Sequence, residues 1–286
     1  MTAAPRFTSM SEVVDRLLTV GYIADDTISG VVYLGDRLDK PVLVEGPAGT
    51  GKTELAKSVA ALTGARLIRL QCYEGLDEAK ALYEWDYRKQ LLRLQAPGAD
   101  AEADLFDERF LITRPLLEAI RSTEPVVLLI DEVDRLDVET EALLLEVLSE
   151  YQVSIPELGT VKANQIPMVF LTSNGSRDLS EALKRRCLFL YLDYPTIERE
   201  REIVLSRVPG ISEHLATQLT RVVRSLRALD LKKRPSVSET LDWARTLMIL
   251  GAEDLDPETV RRTSPVLLKN QTDIATAGAA MGEIVS

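Results

Sequence analysis

The chain has 286 residues, 34 Lys+Arg against 45 Asp+Glu, and a net charge of −11 with its single histidine, His214, neutral; such an acidic balance argues against a sequence-independent nucleic-acid binder. Apolar residues make up 45% and charged ones 28%, the composition of a globular protein with a real core. The two cysteines, Cys72 and Cys187, stand far apart and exclude a disulfide scaffold or cysteine zinc site, and no apolar run is long enough to cross a bilayer.

The stripe of Val13, Val14, Leu17 and Leu18 predicts a helix over residues 11–18. A second helical stretch around 27–38 leads into the short apolar run 41–44, read as a buried strand. A glycine-rich turn follows, then the helix formers of 54–62, stopped by Gly64. Residues 66–72 alternate and read as the next strand. The stretch 75–95 is helical but charged, and 96–104 mixes Pro, Gly, Ala and acids, so it reads as a mobile loop. A helix over 114–121 precedes the buried strand 126–130. Asp137 is the N-cap candidate of a helix over 139–151. Segments 152–155 and 160–162 flank the turn residues 156–159, a hairpin signal. Residues 168–171 and 188–192 are the last strand candidates, and only helical spacing survives past Pro195. Strands alternating with helices, then helices alone, predict a parallel α/β domain at 1–194 and an all-α domain at 195–286. The N-terminus lacks a basic-then-apolar signal layout, so the expected location is the cytoplasm.

Residues Gly46, Pro47, Ala48, Gly49, Thr50, Gly51, Lys52 and Thr53 fit G-x-x-x-x-G-K-[ST] at every fixed position. Backbone N–H groups that turn inward around phosphate oxygens need glycines, and the following helix adds its positive end. Lys52 would reach the β- and γ-phosphates, and the Thr53 hydroxyl would ligate Mg²⁺. The strand 126–130 ends in Asp131 and Glu132. That position puts Asp131 at the carboxyl edge of a parallel sheet, where it can hold hydrated Mg²⁺. Glu132 can polarise the attacking water as general base. Asn174 ends the strand after 168 and either orients that water or simply forms a turn before Gly175. Lys184, Arg185 and Arg186 close a helix, either as a dipole-compatible last turn or as an arginine finger reaching a neighbouring subunit. Lys232, Lys233 and Arg234 precede Pro235 at a helix start, where cations oppose the dipole and point to a facing anion.

These motifs occur in the order of an AAA+ ATPase, which the chain resembles from about Phe7 to about Leu250. The hairpin at 152–162 resembles the pre-sensor-1 insertion, and the segment after Cys72 resembles the helix-2 insertion region. Together they look like the MoxR group. The runs RLIRLQCYEGLDEAKALYEWDY, VSIPELGT, LTSN, ALKRRC and RPSVSETLDWAR look closest to the CoxD-like subgroup, associated with maturing molybdenum–copper carbon monoxide dehydrogenase. The resemblance implies a P-loop α/β ATPase domain with a small helical lid, ATP and Mg²⁺ as cofactors, and Asn174 as sensor 1. It implies Arg186 as the finger, with Arg185 as its rival. It also implies Arg234 as sensor 2, although Ser236, not an arginine, follows Pro235. Hexameric rings, a partner with a von Willebrand factor A domain and a metalloenzyme client of this chaperone-like cycle follow from the same resemblance. The expected activity is ATP hydrolysis that remodels or matures a client. The alternatives are an ATP-gated scaffold with negligible turnover and a clamp-loader-like DNA protein.

Overall fold

A computed structural model describes residues 5–95 and 105–280, so the expected loop 96–104 lies outside the described residues. In chain order the helices and strands are α1 (Met10–Thr19), α2 (Asp26–Arg37), β1 (Val42–Glu45), α3 (Lys52–Thr63), β2 (Arg66–Gln71), α4 (Glu78–Ala81), β3 (Tyr83–Trp85), α5 (Tyr87–Leu94), β4 (Leu111–Thr113), α6 (Pro115–Arg121), β5 (Val126–Asp131), α7 (Val138–Glu150), β6 (Gln152–Ile155), β7 (Gly159–Lys162), β8 (Met168–Ser173), α8 (Glu181–Arg186), β9 (Leu188–Tyr191), α9 (Ile197–Arg207), α10 (Glu213–Ala228), α11 (Val237–Ile249), α12 (Pro257–Thr263) and α13 (Gln271–Ala279). Two compact units emerge. The first combines Met1–Arg16, Ala24–Glu45 and Thr53–Tyr191; the second combines Leu17–Ile23, Gly46–Lys52 and Leu192–Ser286.

The first unit is built on a five-stranded parallel sheet in the order β2-β5-β8-β1-β9. Strands β5 and β8 are buried at every position, as their continuous apolar runs require of strands covered on both faces. Edge strand β2 alternates instead, burying Ile68 and Leu70 while Arg69 and Gln71 stay on its exposed face. Register sets Gln71 beside Asp131, Ile130 beside Leu171, and Glu45 beside Ser173. One edge of the sheet therefore carries the carboxyl ends of all five strands, where a doubly wound sheet takes its ligands. The hairpin forms as expected, with β6 and β7 antiparallel and Gly159 at φ +78° closing the turn. Asp137 caps α7 by accepting the Thr140 N–H at 2.8 Å.

The stretch 75–95 is not one helix. Asp77 and Asp86 each cap a separate helix, α4 and α5. Between them Tyr83–Trp85 forms β3, paired antiparallel with β4 so that Trp85 faces Leu111. The reason is burial: Leu82 and Trp85 enter the core of this unit, and an aromatic residue on a short pleated strand packs there better than on a helix.

The second unit packs α9, α10, α11, α12 and α13 around the fully buried Trp243, whose Nε1 donates to Thr263 Oγ1 at 2.7 Å. A buried ion pair braces it. Arg227 donates to both carboxylate oxygens of Glu200 at 2.6 and 2.8 Å, and its Nε donates to the Pro235 carbonyl at 2.7 Å. Its guanidinium lies 4.5 Å from the centre of the Tyr194 ring, and Thr240 donates to Glu200 at 2.8 Å. Removing one member of such a pair leaves the other charge buried and alone. Arg227→Leu should therefore lower the stability of this unit by about 3–5 kcal/mol. The two tryptophans, Trp85 and Trp243, sit in different units. Urea unfolding followed by Trp243 fluorescence in a Trp85→Phe background reads the loss, and an unchanged midpoint would show that the pair contributes nothing.

Candidate nucleotide-binding site

The loop after β1 belongs to the second unit and depends on its glycines. Gly46, Gly49 and Gly51 have φ of +152°, +73° and +97°, a region that L side chains rarely adopt. A Cβ on Gly46 would stand 2.0 Å from the Leu192 carbonyl oxygen, and one on Gly49 would stand 2.4 Å from Ser236 Cβ. The Val237 N–H donates to the Gly49 carbonyl at 3.1 Å. Thr50 donates to the Pro47 carbonyl at 3.0 Å, and buried Lys52 donates from Nζ to the carbonyls of Gly46 and Pro47, both at 2.7 Å. The loop thus lies against the start of α11, where Ser236 and Glu239 form a reciprocal capping box. Arg234 is exposed, two residues before that cap.

In the first unit the carboxyl edge of the sheet gathers Thr53, Asp131, Glu132, Thr172 and Asn174. Asp131 is 3% exposed. Its Oδ1 accepts from Thr53 Oγ1 at 2.9 Å and from Thr172 Oγ1 at 2.5 Å, while Oδ2 accepts from Arg69. Glu132 adopts a left-handed backbone at φ +60°, a strain of about 1–3 kcal/mol offset here by its N–H bond to Thr172 Oγ1 at 2.9 Å. Its carboxylate is paired with Arg135 Nε at 2.6 Å. Asn174 is exposed, and its N–H donates to Asp134 Oδ2 at 3.2 Å. The same oxygen accepts from Ser176 N at 3.0 Å and Ser176 Oγ at 2.6 Å. Burial works to raise the Asp134 carboxyl, but these bonds from Ser176 and Asn174 prevail and hold it below the usual range. The Cys72 thiol is pushed up to about 12 by burial and by the charges of Asp131, Asp134 and Glu132, so it is no nucleophile.

The end of α8 stands on a different support. Buried Glu141 accepts from the Ser180 N–H at 2.7 Å and from Arg177 at 2.8 Å, which fixes the start of that helix. Arg185 and Arg186 are exposed in its last turn. Arg186 bonds to Ser149 Oγ at 2.5 Å and to the Ala182 carbonyl at 3.0 Å, not to the group around Asp131.

Sequence reasoning passed over Arg69, Thr172 and Asp134. Thr172 was detectable, because a strand pairing Leu171 with Ile130 puts the next residue beside Asp131. Asp134 lies in the short 3₁₀ turn Val133–Arg135, which carries no periodic signal. Asp134→Ala would strand three donors and should cost about 1–3 kcal/mol. Since the folded carboxyl is held low, its contribution is complete above the ordinary carboxylate value of about 4 and is lost as pH falls through the lowered folded value. The gap in urea midpoint between wild type and variant should accordingly be wide at neutral pH and close in acid. A gap independent of pH would refute the role of that charge.

Residues 41–187 match the family model described as AAA domain (dynein-related subfamily). An uncharacterized protein of Staphylococcus haemolyticus is 26% identical over 221 residues, 75% of this chain and 78% of that protein. An uncharacterized protein of Staphylococcus aureus (strain USA300) is 26% identical over 219 residues, 74% of this chain and 77% of that one. Among solved structures, the Thermotoga maritima RuvB Holliday junction branch migration motor is similar with a TM-score of 0.50 at 17% identity, covering 92% of this chain and 72% of that chain. A mutant of the same motor gives 0.51 at 20% identity, covering 93% and 74%. At these identities the likeness is one of fold. No helix among the described residues is long and apolar enough to cross a membrane.

Proposed function

The chain belongs to the AAA family, in its dynein-related subfamily, and we propose that it is a Mg²⁺-dependent ATPase of the MoxR group whose turnover remodels or matures a client protein. An ATPase-type nucleotide-binding domain comes with the family. The observation that supports the Mg²⁺-dependent reaction is the 2.9 Å bond between Thr53, which ends the phosphate-loop motif, and Asp131; the MoxR group and the client rest on the motif resemblance.

The donor set suits Mg²⁺. It offers one hydroxyl and one buried carboxylate, and among the described residues no group of three or more His, Cys, Asp or Glu forms an all-protein cage. Mg²⁺ shared with a nucleotide is held in that way, by one or two carboxylates plus phosphate oxygens. Bound there, it would offset charge on the transferring phosphoryl group. In this reading the inward-turned glycine loop accommodates phosphate oxygens, and Lys52 exchanges the carbonyls of Gly46 and Pro47 for the β- and γ-phosphates. Glu132 releases Arg135 and takes the proton of the attacking water, which Asn174 orients. Arg186, or Arg185 in its place, offsets charge at a neighbouring subunit's phosphate, and Arg234 serves as the cation of the helical lid over 195–286. A finger acting in trans calls for a ring, and AAA proteins commonly assemble as rings; a hexamer is the reading the motifs favour. The motif resemblance alone supports a von Willebrand factor A partner, a molybdenum–copper carbon monoxide dehydrogenase client and a cytoplasmic location.

A second reading, an ATP-gated scaffold with negligible turnover, is favoured by one observation: the base Glu132 is tied to Arg135 at 2.6 Å. Steady-state hydrolysis measured across protein concentration separates the two, since a ring enzyme gains specific activity as it assembles.

Glu132→Gln should bind ATP normally and lose nearly all turnover, because the amide keeps the shape and removes the base; unchanged hydrolysis would refute that role. Lys52→Ala should instead lose nucleotide affinity, read by equilibrium binding of a fluorescent ATP analogue. Arg186→Ala should bind ATP yet hydrolyse it on the order of 10³-fold more slowly. Mixed with Lys52→Ala it should regain activity that rises with protein concentration. If mixed assemblies form and activity stays at the sum of the parents, Arg186 does not act in trans.

A further inference from the structure

Arg69 stands near the sheet edge, and neither the motifs nor the proposed reaction uses it. Strand pairing puts Arg69 opposite Leu129 and Gln71 opposite Asp131, and the alternation of β2 keeps Arg69 and Gln71 on one face. Its guanidinium donates to Asp131 Oδ2 and to the Gln71 side-chain oxygen. With Thr53 and Thr172 on Oδ1, both oxygens of Asp131 are engaged, and Arg69 supplies the full positive charge. The two partners differ in freedom. The Asp131 side chain is 4% exposed and fixed by the strand, whereas Arg69 is 47% exposed on a long flexible stem. A guanidinium and a divalent cation on the same carboxylate repel each other, so each weakens the other's hold on it.

We infer that Arg69 is an internal cation that competes with Mg²⁺ for Asp131, so that it sets the Mg²⁺ concentration at which the site loads. Gln71 gives the departing guanidinium a partner on its own strand. The inference rests on the proposed reading of Thr53 and Asp131 as the metal side of the site. Arg69 is a positioning residue here: it acts through Asp131 and touches neither nucleotide nor metal. A merely supportive Arg69, one that holds Asp131 ready for metal, makes the opposite prediction, because its removal would weaken loading.

The test is a Mg²⁺ titration of a fluorescent ATP analogue bound to the EDTA-treated full chain. Arg69→Gln should reach its half-maximal Mg²⁺ effect at about threefold to tenfold less Mg²⁺ than wild type. Arg69→Lys keeps the charge but loses the planar fork, and should fall between them; it also carries the test if the glutamine variant does not fold. Arg66→Gln removes the same charge from the same strand, where Arg66 pairs with Glu118, and should leave the midpoint unmoved. An Arg69→Gln midpoint that is unchanged or higher overturns the inference, and so does an equal shift in Arg66→Gln. A wild type whose binding ignores Mg²⁺ overturns the metal reading of Thr53 and Asp131 together with it.

Discussion

The Asp131 carboxylate is the constraint on which the carboxyl edge of the first unit's sheet depends. A carboxylate at 3% exposure is costly to bury without donors, and three side chains from three elements converge on it. Thr53 comes from α3, Thr172 from β8 and Arg69 from β2, while Asp131 itself ends β5. Each bond therefore ties a different element to the same point, and the strand register is what brings them there. Thr172 also acts on the backbone next door, where its hydroxyl accepts the Glu132 N–H and holds that residue in its left-handed conformation. The direction of the Glu132 side chain is thus set by a threonine on a neighbouring strand, outside any acid motif.

A parallel logic governs the second unit. Gly46 and Gly49 are glycines twice over, once for their positive φ and once because Leu192 and Ser236 leave no room for a Cβ. The turn that brings Ser236 to the loop is itself held by Arg227, which bonds the Pro235 carbonyl while paired with Glu200. Buried Asp273 secures the approach to that turn by accepting the N–H groups of Lys232 and Lys233 at 3.0 and 3.2 Å. Two buried acids thus place a segment whose own sequence, Lys232 to Pro235, reads only as a run of cations before a proline.

Much of this was legible in the residues, and the division follows the physics. Strands β5 and β8 were readable because two-sided burial leaves an uninterrupted apolar run, and the phosphate-loop motif because its backbone needs glycines at fixed spacing. Asp131 and Glu132 were readable by position at a strand end. The β3–β4 pair was not: a three-residue strand carries no period, and charged neighbours gave 75–95 a helical look that Asp86, as a second cap, interrupts. Arg69 and Asp134 were hidden for another reason, and Thr172 could be placed only once β5 and β8 were paired. The partners of Arg69, Thr172 and Asp134 are 62, 41 and 40 residues away in the chain, so only the register of the parallel sheet makes them neighbours.

The charges proposed to meet Mg²⁺ and phosphate share a property that spacing alone does not reveal. Lys52 is bonded to two carbonyls, Asp131 to Arg69, and Glu132 to Arg135. Each group has an internal partner of the kind a loaded site would replace: carbonyl oxygens in place of phosphate oxygens, a guanidinium in place of a metal ion. Loading then becomes an exchange of partners rather than the capture of ligands by bare charges, which would be costly to bury. Exchange lowers affinity, since every new contact gives up an old one, but it also spares buried Asp131 and Lys52 the need to stand unpaired at any stage. Glu132 differs from Asp131, because its partner is a neighbour three residues along the chain and not a residue on a strand across the sheet. Breaking that pair would leave in place the bonds from Thr53, Thr172 and Arg69 that hold Asp131.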